Sequence, residues 1–92
     1  MTFEWDERKS KTNQKKHGVS FVEACTVFGD PLSITVADPE HSEVEQRFVD
    51  IGVSEKGKLL VVSYTERHSS IRIISARGAL SVERVMYEEN QY

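Results

Sequence analysis

Long hydrophobic runs are absent from this 92-residue sequence, and it contains one cysteine and two prolines. No stretch approaches the roughly 18 apolar residues of a membrane-spanning helix, and no apolar N-terminal segment resembles a signal peptide. The single cysteine, Cys25, cannot form an internal disulfide, which suits a reducing compartment. We therefore expect a cytoplasmic protein with no membrane-embedded part.

Motifs that would indicate several kinds of chemistry are also missing. The sequence has no glycine-rich phosphate loop, no G-x-S-x-G motif and no Cys/His pair at zinc-binding spacing. His41, Glu43 and Glu45 do not form a credible metal site, so we expect neither a metal nor a cofactor. Cys25 lies on the apolar stripe of a predicted helix and is interpreted as an unreactive core thiol.

The length of the chain allows one domain, residues 1–92, with little room for a deep pocket. A surface groove or a partner interface is therefore the expected working site. The net charge of −3 weakens attraction to nucleic acid, but the charges are unevenly distributed. Residues 1–17 carry five Lys/Arg against three acids, residues 18–57 two against eight, and residues 58–92 five against four.

Two helices are predicted in the first third of the chain. Residues 6–17 form the first, with Asp6 as its N-cap and Gly18 just after its end. Ser20 and Glu23 form a capping-box pattern that begins a second, short helix with an apolar stripe. Residues 29–31, Gly-Asp-Pro, end it.

Alternating apolar residues predict strands at residues 32–37, 44–53, 59–64 and 71–76, with an acidic loop at 38–43. The strand at 59–64 is apolar on both faces, so it is expected at the centre of the sheet. Helical spacing returns from Ala79 onward. The predicted fold is α+β in the order ααββββα, with two N-terminal helices, a four-stranded antiparallel sheet and a C-terminal helix.

The first predicted helix has no apolar stripe. Trp5, Lys9, Asn13 and His17 recur every four residues on one flank. Either this flank is solvated, or its lysine stems and Asn13 pack on the sheet and line a polar groove. His17 is a candidate general base, because histidine titrates near neutrality, but a histidine in this position also serves as a helix-end donor.

Four arginines lie in the C-terminal third: Arg67, Arg72, Arg77 and Arg84. Arginine suits phosphate because its planar fork binds two oxygens and keeps its charge. In a regular strand Arg72 and Arg77 point to opposite faces, so they would share a site only if the chain turned after Ala76. The alternative is that the arginines pair with nearby acids: Glu66, Glu83 and Glu88.

Segments along nearly the whole chain resemble the BrnT toxins of bacterial toxin–antitoxin pairs. They are residues 3–6, Lys9, Asn13, residues 16–21, 23–24, 27–28 and 30–31, Arg47, Gly52, residues 59–62, 64–67 and 72–77, Ala79, and residues 83–84 and 87–88. The resemblance implies a RelE-like fold, RNA cleavage that blocks translation, and neutralisation by a BrnA-like ribbon-helix-helix antitoxin. It also implies that operator DNA is contacted only through that antitoxin.

Near its end the chain departs from the BrnT pattern. Leu80, Ser81 and Val85 stand where the family usually has a threonine, a basic residue and a further arginine. We expect Ser81 to take over the helix cap one residue late. The lost basic charge leaves an alternative open, that of a catalytically degenerate toxin acting as a non-enzymatic, antitoxin-binding co-repressor.

Metal-independent RNA cleavage needs a base for the 2′-hydroxyl, cations for the phosphorane-like charge and an acid for the leaving oxygen. Lys16 and His17 are the candidate bases, and Arg72 and Arg77 the candidate catalytic phosphate ligands. The remaining candidates are RNA-binding Lys9, Arg67 and Arg84, and Tyr87 as a possible acid.

Overall fold

A computed structural model of the chain describes residues 1–38 and 45–90. In those residues it contains β1 (Thr2–Glu4), α1 (Glu7–His17), α2 (Phe21–Cys25), a 3₁₀ turn (Thr26–Gly29), β2 (Ile34–Asp38), β3 (Arg47–Val53), β4 (Leu59–Arg67), β5 (Ser70–Gly78) and α3 (Ser81–Glu89). Most of the predicted acidic loop, and the first residue of the strand predicted at 44–53, lie outside the described residues.

The sheet has five strands in the order β1-β5-β4-β3-β2, so the prediction of a four-stranded antiparallel sheet is wrong. Strands β2 to β5 form the expected antiparallel meander, with β4 central. The additional strand, β1, pairs in parallel with β5, and the hydroxyls of Thr2 and Ser70 lie 2.7 Å apart. A three-residue strand is too short to show an alternating pattern, so only its distant partner defines it.

The ends of α1 follow the predicted local signals. The Asp6 carboxylate accepts hydrogen bonds from the backbone N–H groups of Arg8 and Lys9. Gly18 follows the helix with a left-handed φ of 71°, a conformation that glycine adopts without strain. At the start of α2, Ser20 caps Glu23 N–H as predicted, but the Glu23 carboxylate accepts from another side chain, the Ser54 hydroxyl, at 2.8 Å.

Small polar side chains pack the polar helix α1 on the sheet. The Asn13 amide donates to the carbonyls of Val19 and Ala76, each at 2.8 Å, and accepts from Ala76 N–H at 3.1 Å. The Ser10 hydroxyl accepts from Phe21 N–H at 3.3 Å. Strand β1 pairs only with the first part of β5, and beyond it the Asn13 amide makes the backbone hydrogen bonds that a neighbouring strand would make. This explains how a helix without an apolar stripe can pack on the sheet.

The two faces of the sheet are covered differently. The larger core lies between the sheet and the α1–α2 layer, and its fully buried side chains include Phe21, Val27, Leu60, Val62 and Ile73. Cys25 packs against this core, and burial raises the pKa of its thiol to about 11, as expected of an unreactive cysteine. A smaller core on the opposite face is built from Ile51, Leu59 and Val61 beneath α3.

Leu80 occupies the N-cap position of α3, so the expectation that Ser81 caps this helix is wrong. The Leu80 N–H donates to Glu83 Oε1 at 2.8 Å, and Ser81 is the first helical residue. The carboxylate of Glu83 thus makes one half of a capping box, and the Leu80 side chain has no polar atom with which to make the other half. At the other end of α3, the Tyr87 hydroxyl donates to Asp30 Oδ2 at 2.7 Å. In the part of the chain described here, no helix is both long and apolar enough to cross a membrane.

Candidate nucleic-acid interface

A bulge in β5 decides where its arginines point. Ile73 and Ser75 pair with consecutive residues of β4, which leaves Ile74 as the extra residue. Such a bulge reverses the alternation of side chains along a strand. Arg72, Ser75 and Arg77 therefore share one face of the sheet. The prediction that the two arginines point oppositely is wrong, and no turn after residue 76 is required.

That shared face is the one opposite α1 and α2, and we call it the open face. Helix α3 covers only part of it. The remainder contains a groove of about 390 Å³ between α3 and strands β2 to β5. The groove is lined by both apolar and polar residues, among them Val36, Val49, Ser63, Ser75, Arg77 and Met86.

A second groove, of about 320 Å³, runs between α1 and β5, and we call it the α1 groove. Lys9, Lys16 and His17 line it together with Ser75. The structure thus brings the two candidate bases and one candidate RNA-binding lysine into one exposed channel. Because Ser75 lines both grooves, the α1 groove and the open face meet at the bulged edge of β5.

Two of the candidate arginines are held by internal carboxylates. Arg77 donates to both oxygens of Glu83, each at 2.7 Å, and these hydrogen bonds lower the pKa of the Glu83 carboxyl. Arg67 donates to both oxygens of Glu45 at 2.7 and 2.6 Å, which lowers the pKa of Glu45 in the same way. The ion-pairing alternative therefore holds for these two arginines. The partner of Arg77, Glu83, was predicted, whereas the partner of Arg67, Glu45, was not.

Arg72 is less constrained than Arg67 and Arg77. Its ion-pair contact with Glu4 is 3.9 Å long, beyond hydrogen-bond distance. The Arg72 side chain therefore keeps donors for another ligand. It lines neither groove, but it lies one row along the open face from Ser75, where the two grooves meet.

The last two candidates, Arg84 and Tyr87, line neither groove, and the same is true of Arg67 and Arg72. Arg84 is exposed on α3. The Tyr87 hydroxyl binds Asp30, and burial together with that carboxylate raises the pKa of Tyr87 to about 12. Its proton is thus already held by a structural partner.

Two residues on the open face were not among the predicted site residues. Thr65 lies directly between Arg47 on β3 and Arg72 on β5. The alternation in β3 places Arg47 on the side of Val49, but the sequence does not reveal which strand lies beside it.

Among residues 1–38 and 45–90 there is no cluster of three or more His, Cys, Asp or Glu side chains suited to holding a metal ion.

Comparisons with known proteins agree with this fold. The family described as "Ribonuclease toxin, BrnT, of type II toxin-antitoxin system" matches residues 5–83. The crystal structure of the Brucella abortus ribonuclease toxin BrnT superposes with a TM-score of 0.64 at 25% sequence identity, covering 88% of this chain and 99% of that one. A search of curated proteins gave no match. Because the family match spans most of its length, this chain belongs to the BrnT family of ribonuclease toxins of type II toxin–antitoxin systems.

Proposed function

We propose that this chain is a metal-independent endoribonuclease that inhibits translation and is neutralised by a BrnA-like ribbon-helix-helix antitoxin. The family provides the ribonuclease class and the existence of an antitoxin. The observation that carries the proposal is the junction at Ser75, where the α1 groove with its candidate bases meets the arginine-bearing open face.

The reaction needs no metal if side chains supply the base and the positive charge. Lys16 or His17 would accept the proton of the 2′-hydroxyl as it attacks the adjacent phosphorus. Either Arg77 or Arg72 would stabilise the charge that develops on the phosphorane oxygens. The two lie too far apart to hold one phosphate, so the other arginine would bind a neighbouring phosphate of the strand. The flanking nucleotides would follow the α1 groove past Lys9 and the open face towards Arg67.

Arg84 and Tyr87 have smaller parts in this proposal. Arg84, exposed on α3, would contact RNA only beyond the grooves. Tyr87 would act as the acid only after its hydroxyl leaves Asp30, so we rank it below a water molecule or His17 in its charged form.

The decisive experiment measures single-turnover cleavage of RNA in EDTA by the purified protein. The wild type should cleave, and its induction without antitoxin should arrest growth. If His17 is the base, His17→Ala should lower the rate about 10²–10⁴-fold with little change in RNA affinity. Lys16→Ala tests the other candidate, with Lys11→Ala as its control, since Lys11 is exposed on α1 but does not line the groove.

Arg72→Ala should weaken both RNA binding and cleavage. It should also reduce the log–log salt dependence of binding by about 0.7, the contribution of one phosphate contact on a single strand. Normal growth at high expression, together with no RNA cleavage by the folded protein, would contradict the proposal. That outcome would favour the catalytically degenerate, antitoxin-binding module.

A further inference from the structure

One row of side chains crosses the open face from β2 to β1. In order across the sheet it contains Asp38, Arg47, Thr65, Arg72 and Glu4. Side chains directly opposite each other on neighbouring antiparallel strands have Cβ atoms roughly 4.5–5.5 Å apart. Thr65 is therefore flanked on both sides by an arginine, and an acid ends the row on each side.

The Thr65 hydroxyl is buried without a hydrogen bond. Thr65 is only 2% exposed, and its Oγ1 finds no partner among the residues that the structure describes. A buried polar group in this state costs stability, and such groups are few in folded proteins. Thr35, an exposed residue of β2, differs in this respect, because its hydroxyl donates to Asp50 Oδ1 at 2.7 Å.

The electrostatic surroundings of this row favour an oxyanion. Arg67 lowers the pKa of the nearby Glu45 carboxyl, mainly through hydrogen bonds, and the charges of Arg72 and Arg47 add to the effect. The fields of three arginines thus overlap where Glu45 lies. Arg72 retains donors for a ligand, because its contact with Glu4 is 3.9 Å long.

We propose that Thr65, Arg72 and Arg47 form a phosphodiester-binding site, in which the Thr65 hydroxyl donates to a non-bridging phosphate oxygen. The identity of the ligand as RNA rests on the proposed function. Arg77 lies two rows away along the strands, a distance of about 13 Å at ~3.3 Å per residue. One phosphate cannot span that distance, so this site holds a different phosphate of the strand from the one near Arg77.

The test replaces the hydroxyl by a methyl group of similar size in Thr65→Val. The probe is a single-stranded RNA oligonucleotide with 2′-O-methyl groups, which binds but cannot be cut by its own 2′-hydroxyl. We expect binding to weaken about tenfold or more, since a hydrogen bond to a charged group is lost. The salt dependence of binding should stay unchanged, because the hydroxyl carries no charge. The melting temperature should stay equal or rise, because the unpartnered buried hydroxyl is removed.

Two further variants separate binding from folding. Thr65→Ser keeps the hydroxyl and loses a methyl group, so it should bind like the wild type while melting at a lower temperature. Thr35→Val removes a hydroxyl that has a partner, Asp50, and lies on the opposite face of the sheet. It should lower the melting temperature and leave RNA binding unchanged.

The results distinguish this site from the proposed function. If the wild type binds the oligonucleotide but cleaves no RNA, while Thr65→Val weakens binding, the ribonuclease proposal fails and the site stands. If RNA is cleaved and Thr65→Val binds as tightly as wild type, the site is wrong and the function stands. A wild type that does not bind the oligonucleotide overturns both.

Discussion

Asn13 shows how much of this fold depends on single polar side chains. Its amide group bonds to both backbone groups of Ala76 and to the carbonyl of Val19, and only 7% of Asn13 is exposed. An apolar residue here would leave three buried backbone groups without partners. The residue that is least expected on a packed helix face is therefore the one that joins α1 to the edge of β5.

Replacing Asn13 by alanine should lower the free energy of unfolding by about 2–4 kcal/mol, because each unsatisfied backbone group carries a desolvation cost. Urea unfolding followed by circular dichroism measures it. Lys11→Ala, at an exposed position of the same helix, should change stability by less than about 0.5 kcal/mol. A loss below about 1 kcal/mol for Asn13→Ala would mean that water can replace the amide, so that Asn13 is not required to satisfy the backbone groups of Ala76 and Val19.

The arginines differ in how tightly their guanidinium groups are paired with carboxylates, although the sequence gives no reason to distinguish them. Arg67 and Arg77 each bind a glutamate through both arms of the guanidinium fork. Among residues 1–38 and 45–90, the ion-pair contact of Arg72 is with Glu4, at 3.9 Å. Arg77 therefore has a structural role before any RNA is bound, and its loss would affect both folding and binding. Arg72 is the arginine at which binding can be tested with the least effect on the fold.

At the scale of elements, α3 is attached to the sheet by a few polar contacts. No residue of α3 is fully buried. Glu83 binds Arg77 on β5 and the N–H of Leu80, and Tyr87 binds Asp30. These bonds compensate for the small apolar area beneath the helix and hold it beside the groove of the open face.

The ion pair of Glu83 predicts a pH dependence of stability. Hydrogen bonds from Arg77 lower the pKa of Glu83 in the folded chain below its ordinary value of 4.5. A group with a depressed folded pKa stabilises the fold above its unfolded pKa, and that stability is lost as the pH falls through the folded pKa. Glu83→Gln should therefore be less stable than wild type at pH 7, and the difference should shrink below about pH 4.5. Thermal unfolding between pH 7 and pH 3 measures this; a difference that grows on acidification would contradict it.

On the scale of the whole molecule, exposed apolar side chains concentrate on α3, and one of them, Met86, also borders the groove of the open face. Val82, Val85 and Met86 are 64%, 48% and 42% exposed and follow helical spacing. A contiguous apolar stripe on a small domain is typical of a partner-binding surface. Since the family is defined by toxin–antitoxin pairs, we expect the antitoxin to cover this stripe.

Co-expression with the protein encoded beside it should yield a heteromeric complex in size-exclusion chromatography. Val85→Glu should weaken that complex, because it would bury an unpaired charge, while the isolated toxin keeps its melting temperature. Lys11→Ala, on α1, is the matched surface control. A complex of Val85→Glu with wild-type stability would show that the antitoxin binds elsewhere.

Much of the local structure is determined by the sequence alone. The cap at Asp6, the left-handed Gly18 and the cap at Ser20 depend on residues within a few positions of each other, so the sequence predicts them correctly. The two-faced apolar pattern of β4 likewise predicts a central strand. The family resemblance rests on the joint spacing of many such segments.

Tertiary structure alone decides how these elements combine. The pairing of β1 with β5 joins residues about 68 positions apart, and the bulge at Ile74 appears only when β5 meets β4. Strand register depends on partners that no local pattern encodes. That register turns Arg72 and Arg77 to one face and places Thr65 between two arginines. The physical reason is that pairing with the neighbouring strand, and not the strand's own sequence, determines which residues lie side by side.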